Sequence, residues 1–457
     1  MFEADVGPIE NGVAPKKLAP ITPREWGFLL VLAAIQFTVI LDFMIIMPLQ
    51  LAYKRQWPDL TPLGFGIIVG SYAMSAGFSG LFGAFFTDRF DRKKSMLVLL
   101  AGFTIGTFLC GVAPDYLSLV AGRVVAGAFG GIIGAVSLAI IGDLFHDARR
   151  GLATGVLMWG FSLATILGVP SGLFLKKFEG GPGVPFIALA LFSLVIWVLA
   201  IFVLPQVRSH IAGQAKGFLG SLLPVMTDAT HLRAYLFMFF MVASSFLIFP
   251  SLAEFVVANV GLNEDWELPW VYICGGAATI ISLPVVGWFS DRWGKRQMFR
   301  LFGSLTVVPI LLTTNLDVLL HGVTNRALVV GLTLASTTLF MVITSGRSVP
   351  ALAMVTASSR PRYRGSFLSF NAAVQQFAGA IAAGVAGFIL VQKDETSPIG
   401  NFPIVGLLGV AMTIASVGLA ELLRPAAIEP NVENEPETEE ELIAEGRASD
   451  TGCVSTS

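Results

Sequence analysis

The chain has 457 residues, with 29 Lys and Arg against 31 Asp and Glu and a formal net charge of −2 at pH 7. Hydrophobic residues make up 54% of it and charged residues only 13%, whereas soluble domains carry about 25% charged residues. This composition excludes an ordinary soluble protein, and a mean hydropathy of +0.76 indicates a protein that lies largely within lipid.

The first 26 residues are polar and contain four prolines, so they do not resemble a cleavable secretion signal. Apolar segments near 20 residues then recur, each long enough to cross a hydrocarbon core about 30 Å thick. These segments have no polar face, which argues against a large soluble helical protein. The sequence predicts an all-α polytopic membrane protein with twelve transmembrane helices, at 27–50, 62–86, 95–113, 116–142, 151–175, 183–204, 234–257, 268–290, 298–316, 327–351, 365–390 and 402–423.

One basic loop occurs twice, as AFFTDRFDRKK at Ala84 to Lys94 and as GWFSDRWGKR at Gly287 to Arg296. Each copy follows the second span of a set of six, so the two halves run in the same sense and form a parallel repeat. The tail carries nine acidic residues and a single Arg and is expected to be disordered. The predicted segments are an N-terminal cytoplasmic segment (1–26), a six-helix bundle (27–204), a cytoplasmic linker (205–233), a second six-helix bundle (234–424) and the acidic cytoplasmic tail (425–457).

Lys and Arg are retained preferentially on the cytoplasmic side of a membrane. If both ends are cytoplasmic, 21 of the 29 basic residues lie in inner loops, termini or inner helix ends, six lie in outer loops, and two, Arg123 and Arg347, lie inside spans. The sequence therefore predicts a multi-pass protein of the cell (inner) membrane with both termini in the cytoplasm.

The two loops and the twelve spans resemble the major facilitator superfamily over about residues 27–424. The second loop matches the family signature G-x-L-a-D-R-x-G-R-K, while the first has Ala84 in place of the leading Gly and Asp91 in place of the inner Gly. Ordinary inner loops explain the basic residues of both copies but not the repeated Asp-Arg order. The resemblance implies a secondary transporter whose two bundles move around a central cavity.

In that family the loop is understood as a stabiliser of the outward-open arrangement. An Asp at the end of helix 2 is expected to approach the N-terminus of helix 11, and Asp291 that of helix 5, each contact contributing about 0.3–2 kcal/mol. The resemblance implies latch roles for Asp88, Arg89, Arg92, Asp291, Arg292, Gly294, Lys295 and Arg296, with Arg150 and Arg364 at the opposing helix starts.

Within the superfamily the chain is similar to the bacterial drug:proton antiporter and arabinose-efflux-permease-like branch. The similarity rests on LDFMIIMPL at Leu41 to Leu49, on Arg123 with Gly127 in helix 4, and on GVPSG in helix 5. In GVPSG, Val169 separates the Gly and the Pro that adjoin in the antiporter motif. Gly168, Pro170 and Gly172 predict a bend in helix 5, either as an antiporter element or simply as a kink with close helix packing.

Asp42 lies 15 residues into helix 1, or about 22 Å from the cytoplasmic face at the helical rise, and Arg123 lies about 10 Å in from the other face. The two therefore fall at similar height. Because a charge in hydrocarbon costs at least a few kcal/mol, they are expected to face each other or a shared water pocket. The resemblance assigns them to proton and substrate handling; the alternative is a static ion pair.

Four amides in helices 1 and 11 lie about 9–17 Å deep at the same rise, where unpaired polar groups are unfavourable. Hydrogen bonding between helices and a place in the substrate cavity are equally compatible with that depth. The predicted cavity residues are Gln36, Trp159, Arg347, Asn371, Gln375 and Gln376.

Two further charges lie near span ends. Arg347 either extends toward the cytoplasmic surface or, if Pro350 ends the helix early, lies over the cavity. Glu254, about 27 Å along helix 7, is expected to be a solvated acid at the outer interface, with an outer gate as the alternative.

The chain holds 36 Phe but only six Tyr, which favours an apolar cavity and an amphipathic or lipophilic solute. It contains no GxxxxGK[ST] loop, so an ion gradient rather than ATP is expected to drive transport, and protons suit a lone membrane Asp. The leading function is proton-coupled efflux by alternating access. The alternatives are proton-coupled uptake of a polar metabolite such as a sugar or organic anion and, remotely, a membrane-embedded enzyme, for which the four His offer no paired or ligating arrangement.

The three cysteines suggest neither a disulfide nor a metal site. We expect no cofactor, no metal and no nucleic-acid partner. The expected partners are a small-molecule substrate, protons and the lipid bilayer, and the expected assembly is a monomer.

Overall fold

The computed structural model describes residues 22–87, 90–145, 147–206, 225–359, 364–392 and 397–423. Most of the N-terminal segment, much of the linker, the acidic tail and the latch residues Asp88 and Arg89 lie outside these ranges. In the described part, twelve helices are long and apolar enough to cross a membrane. The predicted all-α fold with twelve spans is confirmed.

The first half of the chain contributes six spans. They are α1 (Pro23–Ile45), α2 (Pro62–Thr87), α3 (Arg92–Gly111), α4 (Tyr116–Leu144), α5 (Asp147–Leu163, a π-helical turn Ala164–Gly168, and Val169–Leu175) and α6 (Val184–Val203). A short helix, Gln50–Gln56, follows α1.

The second half repeats the pattern. Its spans are α7 (Ala229–Phe246 and Phe249–Ala258), α8 (Leu268–Trp293), α9 (Lys295–Thr314), α10 (Arg326–Gly346 and Ser348–Ala357), α11 (Arg364–Ile389) and α12 (Phe402–Leu422). An even number of spans places Thr22 and Leu423 on one side, which we call the terminal face; the opposite side is the far face.

Several helices begin at side chains that satisfy their first backbone N–H groups. Thr22 caps α1 in a reciprocal capping box with Glu25, whose carboxylate accepts from the Thr22 N–H at 2.7 Å. Asp115 caps α4 in the same way through Ser118, and Asp228 caps α7. Such caps satisfy the backbone donors that a helix leaves unpaired at its start.

The halves pack along α2 and α11 because small residues let the two backbones approach. A Cβ added to Gly66 would lie 2.5 Å from the Ala383 carbonyl oxygen, and one at Gly387 would lie 2.6 Å from that of Pro62. A second seam joins α5 and α8, where a Cβ on Gly276 would meet Thr165 at 2.9 Å. Small residues are the usual means of close helix approach in membranes.

Three spans are interrupted next to the central space between the halves. α7 breaks before Pro250 and α10 breaks at Arg347, three residues before Pro350. Proline lacks the N–H that would continue the helix, which explains both breaks. In α5 the interruption is the π-helical turn, a feature that often marks functional positions in helices.

Candidate functional site

Asp42 and Arg123 form a fully buried ion pair between α1 and α4. The Arg123 guanidinium donates to the Asp42 carboxylate at 2.7 Å and to the Asp42 backbone carbonyl at 3.0 Å, and both side chains have an exposed fraction of 0%. Thr107 on α3 donates to the other carboxylate oxygen at 2.9 Å. The structure thus brings together the two charges that the sequence places at similar height.

Tyr72 on α2 separates this ion pair from the space between the halves. The Arg123 guanidinium lies 4.4 Å from the centre of the Tyr72 ring, a cation–π geometry. The same tyrosine lines the central cavity. The ion pair therefore lies one side chain behind the cavity wall and does not itself line the cavity.

The central cavity has a volume of about 430 Å³ and is lined by residues of α1, α2, α4 and α5 on one side and of α7, α8, α10 and α11 on the other. Its wall is mainly apolar, with Phe43 and Phe246 in ring contact at 5.8 Å. A volume of this size lies within the range of about 300–1,000 Å³ that is typical of small-molecule sites.

Two of the predicted cavity residues, Gln36 and Gln376, line this cavity. The Gln36 Oε1 atom is buried and has no hydrogen-bond partner among the described residues. Asn371 is buried and Gln375 is partly buried, and neither is among the lining residues. Trp159 is 53% exposed and, like Asn371 and Gln375, is not among the residues that line this cavity. A role for these three in a substrate cavity therefore stays a prediction.

Arg347 is 1% exposed, and the expectation that it extends toward the surface is wrong. Its side chain leaves the break in α10 and reaches Met241, Ser244 and Ser245 on α7 and Thr413 on α12. Met241 is 12 residues into its helix and Thr413 is 11 residues into its own, or about 16–18 Å from opposite faces at the helical rise. The guanidinium is therefore near mid-membrane.

The GVPSG segment spans the junction of the π-helical turn with the last part of α5. Gly168 ends the turn, and Pro170 lies in the first turn of the helix that follows, where its missing N–H is tolerated. A Cβ on Gly168 would lie 2.7 Å from Leu41, and one on Gly172 would overlap Ile45. The two glycines thus let α5 pack closely against α1, next to Asp42.

Ion pairs join the two halves at the far face, and sequence reasoning missed them. Lys54 pairs with Glu254 and also donates to Gln392. Glu254 is 1% exposed, so the prediction of a solvated carboxylate is wrong. Arg55 and Lys176 both pair with Glu264, and Lys177 pairs with Asp265 at 3.4 Å.

In each of these far-face pairs the first half supplies the cation and the second half supplies the anion. The charge of the predicted outer loops could have indicated this arrangement. Basic residues cluster at Lys54, Arg55, Lys176 and Lys177, and acidic ones at 264–267. A count of basic residues alone does not reveal these pairs. That count treats each Lys or Arg in an outer loop only as a deviation from the cytoplasmic preference of basic residues.

The family model of the Major Facilitator Superfamily matches this chain at residues 28–383 and 234–448. The chain belongs to that superfamily. It is 26% identical to the MFS-type transporter YbcL of Bacillus subtilis over 72% of this chain and 79% of that protein. It is 24% identical to the MFS-type transporter YceJ of the same organism over 86% and 95%. A shorter match, at 25% identity over 54% and 61%, is to the putative transporter AraJ of Escherichia coli.

Solved major facilitator structures share the fold. A bacterial homologue of the human lysosomal transporter Spinster, described as inward-facing and unoccupied, aligns with a TM-score of 0.64 at 14% identity, over 88% of this chain and 95% of that one. A point mutant of the nucleoside transporter NupG aligns with a TM-score of 0.69 at 12% identity, over 87% and 98%. Membership of the superfamily, together with twelve candidate spans, makes the chain a multi-pass membrane protein and a secondary transporter of small molecules.

The two signature loops of this major facilitator protein make their turns differently. In the second loop, Gly294 has φ +93°, a conformation that favours glycine, and Lys295 begins α9 directly after it. In the first loop, Asp91 has φ −53° and caps α3 by accepting from the N–H groups of Lys93 and Lys94. An N-cap thus replaces the glycine turn.

The basic residues of the loops contact their own half. Arg92 pairs with Asp143 at 3.3 Å, and Arg150 donates to the carbonyls of Phe145 and Gly142 at 3.1 and 2.7 Å. In the second half, Arg292 lies over the Trp288 ring at 3.9 Å and Arg296 donates to the Leu423 carbonyl. Arg364 begins α11, and its side chain lies outside the described part.

Asp291 is exposed at the end of α8. Within the described residues it makes no hydrogen bond or ion pair with the start of α5. The expected contact of Asp88 with α11 lies outside the described part. The approach of Asp291 to the start of α5 therefore stays a prediction.

Proposed function

We propose that this protein is a proton-coupled transporter that exports a small amphipathic solute by alternating access, acting as a monomer. The observation that carries the proposal is the buried Asp42–Arg123 pair one side chain behind an apolar cavity. Protonation of Asp42 would remove the charge that holds Arg123 to α1. Because a single charge is unfavourable in this setting, gain or loss of the proton would change how α1 packs against α4.

The pattern of ion pairs supports a conformation that is closed at the far face. There the pairs join the two halves, the most buried being Lys54–Glu254. The ion pairs described at the terminal face each join residues of one half: Glu25–Arg149, Arg92–Asp143 and Arg300–Glu421. With the terminal face in the cytoplasm, as the distribution of basic residues favours, the cavity would load from the cytoplasm.

The lining of the cavity supports an amphipathic solute. Phe43, Phe246 and Met341 offer apolar surface, while Gln36 and Gln376 offer isolated amides. The buried Gln36 Oε1 would accept a hydrogen bond from a solute donor. Few polar anchors in an apolar site are typical of small-molecule pockets.

A second candidate is co-transport of an organic anion with a proton. It is favoured by the buried positive charge of Arg347, whose described hydrogen-bond partners are neutral. The two candidates differ in the charge of the solute and in the relative direction of solute and proton.

Flux in inside-out membrane vesicles with an imposed pH gradient tests the coupling, with a panel of amphipathic neutral, cationic and anionic solutes. We expect Asp42→Asn to lose gradient-driven flux while it keeps solute exchange at zero gradient. Asp59→Asn is the matched control, because Asp59 is an exposed carboxylate at the far face. Equal gradient-driven flux in wild type and Asp42→Asn would remove Asp42 from proton coupling.

A further inference from the structure

Arg347 holds a full positive charge among neutral groups. One terminal nitrogen, Nη2, donates to the Met241 carbonyl at 2.9 Å and to the hydroxyls of Ser244 and Ser245 at 2.6 and 2.8 Å. The other, Nη1, donates to the Thr413 hydroxyl at 3.3 Å. These hydrogen bonds engage both terminal nitrogens of the guanidinium, but none of these four partner residues carries a negative charge.

The other charges buried in the described spans are compensated. Arg123 is paired with Asp42, and Lys54 with Glu254. Among the described residues no carboxylate forms an ion pair with Arg347. An isolated charge away from water is unfavourable. A bound ligand of opposite charge would offset that cost.

Ser245 connects Arg347 to the cavity. Its oxygen accepts from Arg347 and its side chain lines the cavity wall. Because the Ser245 oxygen accepts the Arg347 N–H through one of its lone pairs, its own proton points away from the guanidinium, and the cavity that Ser245 lines lies on that open side. Ser345, two residues before Arg347, lines the same cavity. A positive charge therefore lies directly behind a hydroxyl donor.

We propose that Arg347, acting through Ser245, forms a subsite for an anionic group on the transported solute, such as a carboxylate or sulfonate. The inference deepens the second candidate function, co-transport of an organic anion with a proton, and it rests on the proposed function in taking the central cavity as the solute site. The head group would accept the hydroxyl proton of Ser245 and be stabilised by the charge behind it. The apolar body would lie against Phe246, Met341 and Ile280, which line the cavity.

Equilibrium binding to purified protein in nanodiscs of zwitterionic lipid tests the subsite without any ion gradient. The probes are octanesulfonate and the uncharged octanesulfonamide, which share the same apolar tail. We expect wild type to bind the sulfonate at least about tenfold more tightly, equivalent to about 1.4 kcal/mol. Arg347→Gln and Ser245→Ala should lose most of this preference, whereas Arg347→Lys should keep part of it.

Arg326→Gln is the matched control, because Arg326 begins the same helix and pairs with Glu267 at the exposed far face. Its sulfonate preference should equal that of wild type. If Arg347→Gln does not fold, Ser245→Ala and Arg347→Lys still report the preference. A merely structural arginine would change stability but not the ratio of the two affinities.

Three results would overturn the subsite. The first is no preference or no binding in wild type, and the second is an unchanged preference in Ser245→Ala or Arg347→Gln. The third is loss of sulfonate binding in a second set of nanodiscs that contain phosphatidylglycerol, which would assign the charge to a lipid headgroup. Loss of proton-driven flux is measured separately in vesicles. Failure of the subsite and failure of proton coupling are therefore distinguishable.

Discussion

The buried Lys54–Glu254 pair predicts a specific response of the far face to a single substitution. The two side chains are 4% and 1% exposed and belong to opposite halves. Replacing Lys54 with Met leaves the Glu254 carboxylate buried without its cation, and also removes the donor to Gln392. The substitution destabilises only the conformation that is closed at the far face, because separation of the halves would hydrate Glu254.

The size of this destabilisation follows from the burial of the Lys54–Glu254 pair. Removing one partner of a buried ion pair costs about 3–5 kcal/mol, and about 3 kcal/mol corresponds to more than a hundredfold in population. Arg55 pairs with Glu264 across the same interface, but its side chain is 60% exposed. Glu264 is 9% exposed but keeps Lys176 as a second cation, so loss of the exposed Arg55 should cost only about 0–1 kcal/mol. Arg55→Gln is therefore the matched control, with an expected shift of less than about fivefold on that scale.

Spin labels at Asp59 and His321, two exposed far-face positions on opposite halves, report the separation through the distance distribution between them. Lys54→Met should move most of the population to longer distances, and Arg55→Gln should leave it near that of wild type. The double replacement of Lys54 and Glu254 by Met should move it back, because apolar substitution of a whole buried pair is often neutral or stabilising.

Two outcomes would refute the reasoning. An unchanged distance in Lys54→Met would show that the pair does not hold the far face closed. Equal shifts in Lys54→Met and Arg55→Gln would show that burial does not set the strength of the contact.

Other predictions concern packing around the cavity. Gly127→Ala should lower stability by about 1–3 kcal/mol, because a Cβ there would overlap the Tyr72 backbone; thermal unfolding in detergent measures the loss. Gly142→Ala, on the same helix with nothing within 4 Å of the added Cβ, should not destabilise, and equal losses in both would contradict the packing argument. Phe246→Ala removes the ring contact with Phe43 and should raise the KM for a small solute in vesicle flux, while an unchanged KM would place the solute elsewhere.

Much of the fold could be predicted because a membrane imposes simple constraints. A span must be apolar and about 20 residues long, and the signature loop around Gly294 carries a specific residue order. The sequence predicted a bend around Pro170, which follows the π-helical turn of α5, and considered an early helix end at Pro350, which follows the break in α10. The break in α7 before Pro250 was not predicted, because a proline alone does not specify a break: Pro284 in α8 and Pro309 in α9 lie inside continuous helices.

The site was harder to predict because the depth of a residue in the membrane does not specify which way its side chain points. Trp159 and Gln36 lie on neighbouring spans, yet only Gln36 faces the cavity. Arg347 was placed by its Cα near a surface, but its long side chain brings the guanidinium to mid-membrane beside Ser244. The Lys54–Glu254 pair links residues 200 positions apart, and such contacts depend on how the halves pack.

The charge of the solute also decides which way it moves relative to the proton. Protonation of Asp42 adds one positive charge to the interior that already contains Arg347, which favours an anion in the cavity and disfavours a cation. Coupling between two ligands is reciprocal, so an anion that binds more tightly to the protonated protein also promotes protonation and travels with the proton. A cation would compete with the proton and be exchanged for it.

The pH dependence of octanesulfonate binding therefore distinguishes the two candidate functions, because the sulfonate itself stays ionised over the range used. If the anionic subsite is correct, binding should tighten as the pH falls, and Asp42→Asn should bind with a constant, tight affinity because its side chain is neutral at every pH. That result would favour co-transport of an organic anion. Binding that weakens at low pH in wild type would instead support exchange of solute for proton. Arg347, which pairs with no carboxylate among the described residues, would then serve a step other than solute recognition.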